Sequence, residues 1–161
     1  GIVSLDANVH GTQEEPVGQG KLQVVRAEAY NQPIQTLAAD FQAANGKITS
    51  NLQLKISAGA ANGRLEFTPK TKAYQLQFDA PRVVLQELQA VQAKNVPVQG
   101  VLSATASGSG TLSNPQLTAN IQIPELQLQQ TKATGITAQL SVANHRADAT
   151  VSTDVATTVL E

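Results

Sequence analysis

Apolar and polar residues alternate along most of this chain. Leu52, Leu54 and Ile56 alternate with Gln53, Lys55 and Ser57, and Tyr74, Leu76 and Phe78 alternate with Gln75, Gln77 and Asp79. Leu117, Ala119, Ile121 and Ile123 are separated by Thr118, Asn120 and Gln122, and Ile136, Ala138, Leu140 and Val142 by Thr137, Gln139 and Ser141. Successive side chains of a strand point to opposite faces, so a period of two predicts strands with one apolar and one polar side. Turn residues at Asn45-Gly46, Asn62-Gly63, Pro69, Gly108 to Gly110, Asn114-Pro115 and Asn144 cut these runs into many short antiparallel strands. In that scheme Gly108 and Gly110 make a bend, Asn114 and Pro115 make the turn, and Leu117 to Leu128 form an aliphatic wall. One segment departs from the alternation. From Pro81 to Asn95, Leu85, Leu88 and Val91 recur every three residues, which predicts a short helix near residues 83–93 that Pro97 lies beyond.

The pattern also echoes itself. Displacement by 99 positions lays Leu22-Gln23-Val24 on Ile121-Gln122-Ile123, Leu37 on Ile136, Ala39 on Ala138, Phe41 on Leu140 and Asn45 on Asn144. A repeated unit that lengthens a sheet keeps its apolar phase in this way. Approximate units 20–60 and 119–159 then flank a middle unit, 61–118. Residues 1–159 read as one β-rich segment of a longer repetitive protein, and Leu160-Glu161 as a cloning scar.

Composition changes what such strands enclose. Apolar residues make up 41% of the 161 residues, yet aromatics are 3%, and Trp, Met and Cys are absent. Large aromatic side chains usually dominate buried surfaces; here Ala, Val, Leu and Ile take their place. Two facing sheets normally interdigitate shaped side chains in a layer ~10 Å thick. A smooth aliphatic wall fits a sandwich closed on itself, and equally a sheet parted around acyl chains. A membrane-spanning barrel needs aromatic girdles, which three Phe and two Tyr do not supply. The net charge is −1 with no basic run, so nucleic acid is not an expected partner. No apolar stretch is long enough for a helical membrane span.

Candidate chemistry is sparse. His10 precedes the Gly11-Thr12 turn and His145 sits in the Asn144-His145-Arg146 turn, with no motif spacing between them. There is no H-x-H or HExxH, so neither a metal nor a cofactor is expected, and the chain does not read as an enzyme. Gly108-Ser109-Gly110 lacks the following helix and Lys-Ser/Thr pair of a phosphate loop. What remains is the apolar face: Leu52, Leu54, Ile56, Leu65, Phe67, Tyr74, Leu76, Phe78, Leu117, Ile121, Ile123, Leu126, Leu128, Ile136 and Leu140.

The stretch Gly108-x-Gly110-Thr111-Leu112-x-Asn114-Pro115-x-Leu117-x-Ala119 resembles a pattern that recurs in AsmA-like proteins, especially the TamB (translocation and assembly module) branch. Gly63-Arg64-Leu65-Glu66-Phe67, Ala73-Tyr74-x-Leu76-x-Phe78, Leu85-x-x-Leu88 and Val98-x-Gly100-x-Leu102 follow in the same order of elements, best over residues 60–130. The resemblance implies an all-β fold: a long antiparallel sheet curled into an open, taco-like trough with a hydrophobic interior. It implies a periplasmic protein anchored in the inner membrane that carries phospholipid acyl chains between the inner and outer membranes. It also implies, through the parent protein, an Omp85-type outer-membrane barrel as partner. The fifteen apolar residues above would line the lipid groove. The alternative reading is a chaperone-like module that assists outer-membrane protein assembly by pairing strands at a sheet edge.

Overall fold

The computed structural model describes residues 1–29, 31–95 and 97–158, with side chains as far as Asp154. Leu160 and Glu161, read above as a cloning scar, lie outside the described residues. The alternating segments form eleven strands: β1 (Ile2–Gly11), β2 (Pro16–Ala29), β3 (Gln32–Ala44), β4 (Lys47–Ile56), β5 (Gly59–Thr68), β6 (Ala73–Val84), β7 (Val98–Thr111), β8 (Asn114–Leu128), β9 (Thr131–Ala143), β10 (Arg146–Ser152) and β11 (Val155–Thr158). They build one antiparallel sheet in which β1 to β10 follow each other in sequence order, with β11 also paired to β9. The sheet is curled but does not close into a barrel. Among the described residues no helix is long and apolar enough to cross a membrane.

Tight hairpins enforce this order. Asn45 and Gly46 both have positive φ (51° and 68°), as do Asn144 and His145 (52° and 60°). Two-residue loops with φ positive at both positions follow the right-handed twist of their flanking strands, which is why Asn and Gly suit them. Other turns fall elsewhere than the residue types suggest. The β4–β5 turn is at Ser57-Ala58, and Asn62-Gly63 lies inside β5. The β7–β8 turn is at Leu112-Ser113, so Gly108 and Gly110 belong to β7 while Asn114 and Pro115 open β8. Thr111 accounts for the shift: its Oγ1 accepts the Asn114 N–H at 3.2 Å and so closes the turn ahead of the proline. The predicted helix is split into a 3-10 turn (Leu85–Glu87) and α1 (Gln89–Gln92), because Leu88 between them is extended.

The curl has a visible line. Register slips fall between Ile34 and Thr36, Ala60 and Asn62, Ala80 and Val83, and Gly100 and Ser103, at corresponding heights on neighbouring strands. The line continues where Arg26 (φ 53°) and Gln35 are left unpaired between β2 and β3, where Pro124 and Gly135 (φ 62°) are left unpaired between β8 and β9, and at the Thr153-Asp154 break between β10 and β11. An extra residue bends a strand and increases its local twist. Aligned across the sheet, these irregularities mark a line of local bending and added twist. At the end beyond that line Leu85 packs beside Leu126 over Gly100, and the Gln89 N–H donates to Gln32 Oε1 at 2.9 Å, so α1 ties the β6–β7 connection back to β3.

Strand register recurs at an offset of 99. Leu5 pairs Leu22 as Ala104 pairs Ile121; Leu22 pairs Ala39 as Ile121 pairs Ala138; Ala39 pairs Leu52 as Ala138 pairs Val151. Thus β1 to β4 and β7 to β10 have equivalent pairings. Their first turns also share one hydrogen bond: Thr12 Oγ1 accepts the Glu15 N–H at 3.1 Å, as Thr111 Oγ1 accepts that of Asn114.

Candidate functional site

Residues directly opposite in antiparallel strands share a face, so the register assigns every side chain to one side of the sheet. One row runs Leu5, Leu22, Ala39, Leu52, Gly63, Phe78, Ala106, Ala119, Leu140, Ala149, from the first strand to the tenth. The adjacent row on that face contains Phe41, Leu65, Leu76, Leu117 and Val142, and the next contains Ile48, Phe67 and Tyr74. Of the fifteen residues singled out in the sequence, Leu52, Leu54 and Ile56 take this side from β4, Leu65 and Phe67 from β5, and Tyr74, Leu76 and Phe78 from β6. Leu117, Ile121 and Ile123 follow from β8, and Ile136 and Leu140 from β9. Leu126 and Leu128 lie beyond the line of irregularities, past the unpaired Pro124 and Gly135.

Among the described residues no second layer covers this face. The buried apolar residues are Ala43, Ala58, Ala61, Ala80 and Leu85, and no large side chain is fully buried among the described residues. Leu52, Leu65, Ile121 and Leu140, in the middle of the wall, remain 38–40% exposed. The chain exposes 10975 Å² for 16.9 kDa, whereas a compact monomer of that mass exposes about 7,700 Å². A packed sandwich, one of the two arrangements compatible with the composition, is therefore not what these strands build.

The few aromatics share this face with glycines. A Cβ at Gly20 would collide with the Phe41 ring. Phe78 stands opposite Gly63, and Tyr74 opposite Gly110. At Gly20 and Gly108 the missing side chain leaves room for the Phe41 and Tyr74 rings to lie along the sheet. Composition showed how few the aromatics are but not that glycine accompanies them. That pairing needs the register.

The opposite face is mostly polar, with Ile2, Val17 and Val25 as its large apolar residues on β1 and β2. Its central row is Asp6, Lys21, Asp40, Asn51, Arg64, Gln77, Ser107, Thr118, Ser141, Asp148. Asn51 donates to Asp40 at 2.9 Å, and Arg64 pairs with Glu66 at 3.1 Å along β5. A hollow of about 620 Å³ on this side is lined by Arg64, Glu66, Gln75, Gln77, Ser107, Ser109, Gln116 and Thr118, and another of about 500 Å³ includes Asp40, Asn51, Asn62 and Asp79. Amides, hydroxyls, the Asp40 and Asp79 carboxylates and one ion pair line them, without a nucleophile and base in hydrogen-bond contact. His10 lies at the turn end of β1 and His145 in the β9–β10 turn. No group of three or more His, Asp or Glu is placed to hold a metal among the described residues. Compared with protein-family models, curated proteins and solved structures, the chain matches none.

Proposed function

We propose that the chain is a segment of a lipid conduit, in which acyl chains of phospholipids lie against the apolar face and pass along it from strand to strand. The observation that carries this reading is the uncovered aliphatic wall that crosses ten consecutive strands. Burial against it is non-directional and yields ~25 cal/mol per Å² removed from water. The row from Leu5 to Ala149 places no charge or hydrogen-bonding side chain in the path. A sliding ligand then meets similar surroundings at each strand and no deep local well. The polar outer face keeps the other side in water, so the two faces have separate tasks. The resemblance of Gly108 to Ala119 to the AsmA-like, TamB-branch pattern supports the same reading, and with it a periplasmic setting between two membranes. The direct test is native mass spectrometry of the purified chain. Phospholipid retained at the concentration where a known carrier retains it supports the conduit, and a lipid-free chain under those conditions overturns it.

A further inference from the structure

The apolar face is graded along the strand direction. On β4 to β6 its polarity falls in steps from the hairpin end toward the line of register slips. The outermost step is cationic: Lys47 opens β4, and Lys70 and Lys72 stand in the β5–β6 turn, all three exposed. The Leu112 N–H donates to the Lys72 carbonyl at 3.1 Å, which extends the ladder past the Ala73–Thr111 pair and holds this turn against β7. Ion pairs among the described residues join Arg64 to Glu66, Lys132 to Glu125 and Arg146 to Asp148, and none uses these three lysines. Glu14 and Glu15 of the β1–β2 turn share a hollow with Lys70 without pairing to it.

The next step is amphipathic. Ile48, Phe67 and Tyr74 form the row nearest the turns. In the row behind them, Ser50 is the only hydrogen-bonding side chain between Ala7 on β1 and Ala147 on β10. Past Ser50 these strands present Leu52, Gly63 and Phe78, then Leu54, Ala61 and Ala80, with neither charge nor hydrogen-bonding group. At the line itself and just past it the face is closed: Ala58, Ala61, Ala80 and Leu85 are buried, and the Val84 N–H donates to the Ala58 carbonyl at 2.7 Å.

Charge, then aromatic and hydroxyl groups, then hydrocarbon is the order met through one leaflet of a bilayer, where tyrosine rings sit at headgroup level. The length also fits. The strand from Tyr74 to Ala80 spans about 20 Å, and the hydrocarbon of one leaflet is about 15 Å deep. We propose that a phospholipid lies along β4 to β6 with its phosphate at Lys70 and Lys72, its ester region beside Ser50 and its acyl tails toward Ala80. Headgroups with a net negative charge are preferred, because the β5–β6 turn presents two lysines and no acid. Passage along the sheet then keeps the headgroup at the hairpin end while the chains step sideways. This orientation rests on the conduit reading.

The chain has no cysteine, so single-cysteine reporters are clean. Thr71→Cys marks the turn and Leu54→Cys the tail end, each carrying a bimane fluorophore. The labelled chain is loaded from phosphatidylglycerol vesicles and then separated from them. Lipid spin-labelled on its headgroup should quench the Thr71→Cys reporter more, and lipid labelled at the end of an acyl chain the Leu54→Cys reporter. Equal quenching or the reverse order overturns the orientation while lipid stays on the face. No quenching, with no lipid retained in native mass spectrometry, overturns the conduit and this inference together. Headgroup preference is read by loading from phosphatidylglycerol or phosphatidylcholine vesicles and counting retained lipid. The parent should retain phosphatidylglycerol in excess, and Lys70→Gln/Lys72→Gln should lower its retention about fivefold with an unchanged circular dichroism spectrum. Arg82→Gln/Lys94→Gln makes the same charge change at the far end and should keep the excess. Equal retention of the two lipids by the parent, or equal losses from both double variants, overturns the assignment of the lysines.

Discussion

The hydroxyl of Tyr74 on β6 donates a 3.1 Å hydrogen bond to the backbone carbonyl of Gln116 on β8, reaching across the intervening strand beside Gly108. The ring edge lies 3.4 Å from where a Cβ of residue 108 would stand, and Tyr74 faces Gly110 in the ladder. One tyrosine thus clamps three strands, and Gly108 of β7 leaves room for its ring. The Tyr74→Phe variant keeps the ring and removes the bond. It should lower stability by about 0.5–1.5 kcal/mol, read from the urea midpoint with an unchanged m-value. Gly108→Val should cost more, because its side chain meets both Tyr74 and Leu117.

Phe41 and Gly20 form the corresponding pair between β3 and β2. Gly20→Val forces the ring off its seat and should destabilise by about 1–3 kcal/mol, the usual range for overpacking. Adding Phe41→Leu should recover part of that loss. A double-mutant cycle with zero coupling between the two sites would show that the ring is not held there.

Thr12 and Thr111 cap equivalent turns with the same side-chain bond. Thr12→Val and Thr111→Val should each reduce stability by a similar amount, about 0.5–1 kcal/mol, since both released N–H groups regain water. Unequal losses in chemical unfolding would mean that the two turns are not equivalent in energy as they are in geometry.

On the apolar face, Leu76→Glu and Ile121→Glu place a charge in the proposed path at positions that are already partly exposed. Both variants should keep the strand spectrum of the parent and lose co-purified phospholipid. Gln77→Glu, one residue away on the outer face, should retain it. Lipid content is checked by mass spectrometry of the purified variants, and equal lipid in all three would remove the apolar face from the path.

The exposed ion pairs should matter little. Arg64–Glu66 and Arg146–Asp148 each join residues two apart on one strand; Arg64, Arg146 and Asp148 are mostly in water and Glu66 is partly exposed. Arg64→Ala and Arg146→Ala are each expected to change stability by less than about 0.5 kcal/mol, with little further effect of salt in thermal unfolding.

Much of the fold was legible because alternation is a local signal. The runs at Leu52, Tyr74, Leu117 and Ile136 became β4, β6, β8 and β9, and their apolar members fall on one side of the sheet. Turn chemistry was less transferable. Asn-Gly at 45–46 makes a hairpin with φ positive at both residues, whereas Asn62-Gly63 lies within β5 with φ positive at neither and pairs across to Asp79 and Phe78. A dipeptide states what the backbone can do, and the cross-strand neighbour decides which use is made of it. The line of irregularities did leave a trace. Val24 to Ala27, Ile34 to Leu37, Ala80 to Val83, Ile123 to Leu126 and Ala133 to Ile136 are spaced by three where the surrounding pattern is spaced by two. Each such step absorbs the residue that bends the strand while keeping apolar side chains on one face. Scattered along the sequence these steps look like noise, and only the pairing brings them into line.

The sequence by itself determined the strands, the polarity of their two sides and the poverty of aromatics on the apolar one, since all three follow from residue type and period. Only the tertiary structure decided that no second layer covers that side. Alternation is the same in a closed sandwich and in an open sheet; what distinguishes them is whether distant strands meet face to face. Here each strand pairs with its neighbours in sequence, the bends align, and Leu52, Leu65, Ile121 and Leu140 remain open to whatever lies against them.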